Sequence, residues 1–145
     1  MSIDVEYGKP IPRPDEDSQP FFDGTLRGEI MLQHCRACGQ WMWPVRYRCI
    51  ECFSDELAWE PAAGTGTIYS YSLVHQLVHP GFAGDLPYNV AMVDLDEGVR
   101  MITNILDVAD DEIEIGGRVT VVFEQISDEL ALPRFRPVDP PGGAA

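Results

Sequence analysis

The chain has 145 residues, 45% of them hydrophobic, with 24 acidic side chains against 10 basic ones and a net charge of −14. That is enough apolar material for one core, in a single domain or a small module joined to a larger one. The charge disfavours a general role on nucleic acid or on an anionic membrane, because phosphate binding draws its affinity from basic groups.

Residues 1–20 set Pro10, Pro12, Pro14 and Pro20 among acidic residues, and predict an extended arm that orders only by lying on something else. The arm has no apolar run, so no signal peptide is expected and the cytoplasm is the expected compartment. No stretch is apolar for the length of a membrane span. Residues 20–28 predict a short helix presenting Phe21, Phe22 and Leu26, ended by Gly28. EIMLQHC, residues 29–35, reads as a strand leading into the first of two cysteine pairs. After the second pair, LAWEPAAGTG is extended and broken by Gly64 and Gly66. From Thr67 four runs carry a β pattern: TIYSYSLV, YNVAMVDL, VRMITNIL and RVTVVFEQI. Asp96-Glu97-Gly98 makes a hairpin turn, and residues 79–87 form a Gly/Pro-rich loop carrying Phe82. DVADDEIEIGG holds one helical turn, and PVDPPGGAA is expected to be a disordered tail. The fold class is therefore mainly β: a short helix and a cysteine-bearing module to about residue 60, then a small closed five-stranded Greek-key barrel.

All four cysteines lie in CRACGQWMWPVRYRCIEC, residues 35–52, spaced C-x2-C-x10-C-x2-C. Each C-x-x-C can curl into a knuckle that aims two sulfurs at one point, and ten residues suffice for a hairpin joining the knuckles. Cys35, Cys38, Cys49 and Cys52 then form the closed tetrahedral donor set of a structural zinc site. Iron in a rubredoxin-type site uses the same ligands and stays open, with zinc favoured. A reducing compartment disfavours disulfides. A thioredoxin-like centre needs one pair at a helix start, not two about a hairpin. Gly39 supplies the backbone freedom of the first knuckle, whereas Phe53 leaves the second without a glycine. Arg36, Arg46 and Arg48 can offset the charge of four thiolates. A closed site has no coordination position for a substrate, so its contribution is to folding, on the order of 10–16 kcal/mol.

Other chemistry is sparse. His75 and His79 have metal-like spacing only on a helix, and the stretch reads as strand running into a loop. His34 either bonds a thiolate or faces solvent. No nucleophile elbow and no phosphate loop is present. With every cysteine committed to metal, self-contained catalysis is disfavoured. Trp41, Trp43 and Tyr47 allow two readings: packing on Trp59 and the barrel, or an aromatic–arginine contact tip.

Residues 21–75 with PYNVAMVDLDEGVRMITNIL and IGGRVTVVFE resemble the family called domain of unknown function 35, over about residues 20–137. The features that carry the resemblance are an aromatic-rich helix, C-x-x-C-G, a Pro-x-Arg element at Pro44 and Arg46, the second C-x-x-C, a GxG-x-I/V-Y-S-Y strand and an LDEG hairpin. Phe53 departs from the small residue usual after the fourth cysteine, and Val45 from a common second proline. The resemblance implies a rubredoxin-like zinc ribbon followed by an OB-fold: arm 1–20, helix and ribbon 21–60, barrel 61–137, tail 138–145. It further implies a non-catalytic accessory subunit of a thiolase-like or aldolase enzyme, in steroid side-chain or other acyl-CoA degradation, that helps wall the acyl-CoA channel. Trp41, Trp43, Arg46, Tyr47, Phe82 and Tyr88 are then the candidate contacts to partner or CoA. The alternative is a single-stranded nucleic-acid-binding OB-fold with a structural zinc ribbon, which has the stacking aromatics but the wrong overall charge.

Overall fold

The computed structural model describes residues 7–139. The first six residues of the expected arm, and all of the expected tail except Val138 and Asp139, lie outside them. Helix α1 (Gln19–Leu26) is entered through a reciprocal pair in which Ser18 N–H donates to Asp15 Oδ1 and Asp15 N–H donates to Ser18 Oγ. Pro20 sits in its first turn, where a missing N–H costs nothing. Its buried face is Phe21, Gly24 and Thr25. Leu26, expected to join that face, is exposed instead, because at 3.6 residues per turn it points well round the helix from Phe21.

Two antiparallel sheets follow. In the first, β2 (Trp41–Met42) and β3 (Leu57–Pro61) flank β1 (Met31–Cys35). The second comprises β4 (Thr65–Val74), β5 (Tyr88–Leu95), β6 (Arg100–Thr103), β7 (Arg118–Gln125) and β8 (Ala131–Pro137), in the order β6-β5-β4-β7-β8. It curls until its two edges meet. Ile105 and Phe135 form a parallel bridge, with Leu106 N–H donating to Phe135 O at 2.7 Å and Phe135 N–H to Asn104 O at 3.1 Å. This is the OB-fold barrel. Strand β4 can serve two neighbours because it bends, with a bulge between Ile68 and Ser70. Gly66 lies on β4 where a Cβ would strike the Asp94 carbonyl of β5.

Strand β8 is the one the sequence does not announce. Pro133, Pro137 and two arginines break its alternation. It forms as the last strand of the ladder, pairing along its length with β7 and meeting the other edge at the Ile105–Phe135 bridge, a sheet-edge position where proline is tolerated. The single turn expected in DVADDEIEIGG is a 3-10 turn over Asp110–Glu112. Among the described residues no helix is long and apolar enough to cross a membrane.

One apolar cluster joins the two sheets: Phe21, Ile30 and Leu32 pack with Val93, Val119 and Phe135. The second cluster is far smaller, Cys35, Met42 and Cys49 with Leu57 against them. The barrel seam is held by Asn89, which is buried. Its side chain donates to Ile105 O at 2.9 Å and accepts from Ile105 N–H at 2.7 Å. Asn89→Ala strands both backbone groups and should cost about 2–4 kcal/mol, read as a lowered urea midpoint. A loss below about 1 kcal/mol would show that the seam closes without it.

Candidate metal centre

The two cysteine pairs fold the same way. Gly39 N–H donates to Cys35 O at 2.9 Å and Cys35 N–H to Gln40 O at 2.8 Å. Phe53 N–H donates to Cys49 O at 3.1 Å and Cys49 N–H to Ser54 O at 2.9 Å. Each knuckle turns on a residue with left-handed backbone, Gly39 at φ +82° and Phe53 at φ +64°. For an L side chain that conformation costs about 1–2 kcal/mol, and glycine escapes the cost.

All four sulfurs lie within 4.8 Å of one another. Those of Cys35 and Cys52 are 3.7 Å apart, and those of Cys38 and Cys49 3.5 Å. Metal–sulfur bonds of about 2.3 Å set tetrahedral sulfurs about 3.8 Å apart, so the donor set fits a metal ion. A disulfide would need about 2.05 Å. Cys35 and Cys49 are buried, whereas Cys38 and Cys52 reach the surface. The Cys52 N–H, seconded by the Glu51 N–H, holds the Cys49 thiol down at about 7 against the opposing pull of desolvation. At Cys38 the Gln40 N–H works downward but is outweighed by desolvation and the neighbouring cysteines, which push that thiol up to about 12. The two thiols are thus pulled in opposite directions, and a cation at the four sulfurs would supply the charge that lets them ionise together.

Gln33, to which sequence reasoning assigns no role, positions the loop between the knuckles. It is buried; its Nε2 donates to Arg46 O at 2.8 Å and its Oε1 accepts from Arg46 N–H at 2.6 Å. A glutamine between Leu32 and His34 carries no signal of this on its own. His34 bonds no thiolate: its ring stacks on Trp41 at 4.1 Å, and its nitrogens meet Glu60 and the Gly39 carbonyl.

The aromatic residues divide. Trp41 and Trp43 turn inward against the main core, Trp43 lying 4.3 Å from Phe21. Tyr47 is 78% exposed and donates its hydroxyl to Asp17 at 2.6 Å, a bond that raises its pKa. Arg46 is exposed. Phe82 stacks on Tyr88 at 5.3 Å, and both line a cleft of about 650 Å³ with Ile102 and Leu106. Tyr7 and Lys9 of the arm also line it, and Lys9 pairs with Asp85 at 2.7 Å and sits over the Phe82 ring. His79 caps the adjoining turn by accepting from Gly81 N–H at 3.0 Å. Among the described residues no other group of histidine, cysteine and carboxylate side chains converges as the four thiols do.

The model for the ChsH2 rubredoxin-like zinc ribbon domain matches residues 22–58, and that for the ChsH2 C-terminal OB-fold domain matches residues 59–124. A DUF35 domain-containing scaffold protein of Methanothermobacter thermautotrophicus is 38% identical over 96 residues, 66% of this chain and 71% of that protein. The chain belongs to the DUF35 family. This DUF35 chain is also 38% identical, over 91% of its length, to a probable enoyl-CoA hydratase alpha subunit of Thermomonospora curvata, of which it spans only 41%. Among solved structures, a chain of the Ltp2-ChsH2(DUF35) aldolase aligns with a TM-score of 0.79 at 38% identity, covering 88% of this chain and 98% of that one. A DUF35 protein of unknown function from Sulfolobus solfataricus shares the fold, with a TM-score of 0.58 at 15% identity.

The two knuckles make an internal comparison. Phe53→Gly should be neutral or stabilising by up to about 1 kcal/mol, strain relief offsetting the entropy of glycine, whereas Gly39→Ala should destabilise by about 1–2 kcal/mol. Denaturant unfolding of the metal-loaded chain measures both. A loss above about 1 kcal/mol in Phe53→Gly would show that the ring packs within the fold.

Proposed function

We propose that the chain is a non-catalytic accessory subunit of an acyl-CoA enzyme of the thiolase superfamily, a retro-aldolase before a thiolase. It docks on the catalytic subunit, stabilises it and helps wall the acyl-CoA channel. The observation that carries this reading is the likeness to a chain of the Ltp2-ChsH2(DUF35) aldolase, which extends over nearly the whole of both chains. The likeness to a hydratase alpha subunit supports the link to acyl-CoA chemistry, which this proposal sets in lipid or steroid degradation, and the scaffold name of the archaeal relative supports an assembling role. The ion is zinc in this proposal, held by Cys35, Cys38, Cys49 and Cys52 in a closed site whose work is folding. The division near residue 60 into ribbon and barrel, and a cytoplasmic setting that keeps the thiols reduced, belong to the same reading.

The cleft beside the arm is the candidate channel wall. Phe82, Tyr88, Ile102 and Leu106 offer apolar surface there, with Lys9 and Arg134 as the cations on its lining. Co-expression with an Ltp2-type aldolase subunit from the same genome tests the reading. A co-eluting complex should cleave a β-hydroxyacyl-CoA at a rate neither component reaches alone. A partner equally active and equally stable without this chain would overturn it.

A further inference from the structure

The cleft beside Phe82 and Tyr88 is completed by the arm, and the seating of the arm decides what the cleft can hold. The Gly8 carbonyl fills the room that Gly81 leaves; a Cβ on Gly81 would collide with that oxygen. Gly8 itself has a left-handed backbone, φ +69°, which glycine adopts without strain. This interlock sets the register in which the next residue, Lys9, reaches the cleft. The Lys9 ammonium lies 2.7 Å from Asp85 and 5.3 Å from the centre of the Phe82 ring. It is the only lysine in the chain.

The charges on the lining nearly cancel. Asp85, Asp110 and Glu124 line the cleft with Lys9 and Arg134, which leaves a single negative charge in excess. Both cations are already spent within it, Lys9 on Asp85 and Arg134 on Glu124 at 3.4 Å. Asp110 joins no ion pair among the described residues. A phosphate drawn to Lys9 or Arg134 would strip a carboxylate of its partner and then lie beside it, and like charges there repel. Sites that hold phosphates offer free arginine, lysine or backbone N–H donors. This lining has no unspent cation. Its remaining surface includes Phe82, Tyr88, Ile102 and Leu106, and its volume of about 650 Å³ is ample for a small-molecule site.

We infer that the cleft holds the uncharged portion of a CoA thioester, the acyl chain with its pantetheine, and excludes the nucleotide. Lys9 makes the cleft fit for this by neutralising Asp85. The inference rests on the accessory-subunit reading and adds to it which half of the ligand meets this chain. An acyl chain asks only for apolar wall, and the pantetheine amides are polar but uncharged, so neither disturbs the two ion pairs. Left bare, the Asp85 carboxylate would hold water where the ligand must displace it.

The test uses the full metal-loaded chain, with S-hexanoylpantetheine as the uncharged probe and ADP as the nucleotide probe, and reads each dissociation constant by calorimetry. The native chain should bind the thioester at least about tenfold more tightly than ADP. Lys9→Met keeps the aliphatic stem and removes the charge, and should weaken thioester binding about fivefold. Lys9→Met combined with Asp85→Asn should restore it to within about twofold of native, since no bare charge is then left. ADP bound as tightly as the thioester would overturn the inference. So would a Lys9→Met chain of native affinity, or a double variant no better than Lys9→Met alone. If the native chain binds neither probe, the inference fails while the accessory role, judged by co-elution with the aldolase subunit, stands. If co-elution fails, the accessory reading falls and takes the inference with it.

Discussion

Four sulfurs must be brought to one point before the segment from Cys35 to Cys52 has any structure worth the name. Trp41 and Trp43 anchor the middle of the segment on the main core, but the apolar material at the knuckles is Met42 and Leu57 with two of the cysteines themselves, too little to offset the entropy of ordering them. The donor geometry is set by local hydrogen bonds within each knuckle, and a cation held by the four sulfurs would link the two knuckles. Metal binding and folding of this segment are in that sense one event.

The barrel does not share this dependence. Its edges are sealed through Ile105, Phe135 and the buried Asn89, and its core runs through helix α1 into the first sheet. The join between the parts is made by packing: Phe21 against Trp43, and Ile30 and Leu32 against barrel residues. Trp41 and Trp43 thus spend their area on the frame, leaving Tyr47, Ile50 and Phe53 facing outward. A knuckle pair whose sulfurs fit a metal ion and an aromatic-lined cleft suit a molecule whose proposed work is to hold an enzyme and a thioester substrate in register.

What could be read from the sequence follows from how local each constraint is. Paired cysteines at fixed spacing carry the donor set whole, because both chelate geometry and knuckle turn are local. Strands with β-branched alternation and the Asp96–Gly98 turn were legible for the same reason. Strand β8 was not, since its prolines argue against a strand unless the barrel's closure is already known. The outward turn of Leu26 and the inward turn of both tryptophans depend on which face meets the barrel, a non-local fact. Gln33 and Asn89 are hidden more deeply: single amides whose roles exist only once the backbone they grip has been brought to them. Phe53 stands out in the sequence as a missing glycine, but its strain and exposure exist only in the fold.

The most direct measurement is amide hydrogen exchange on the full chain, metal-loaded and after exhaustive chelation. Residues 35–56 should lose their protection without metal while β4, β5 and β7 keep theirs. Unchanged protection across residues 35–56 in verified metal-free protein would contradict it.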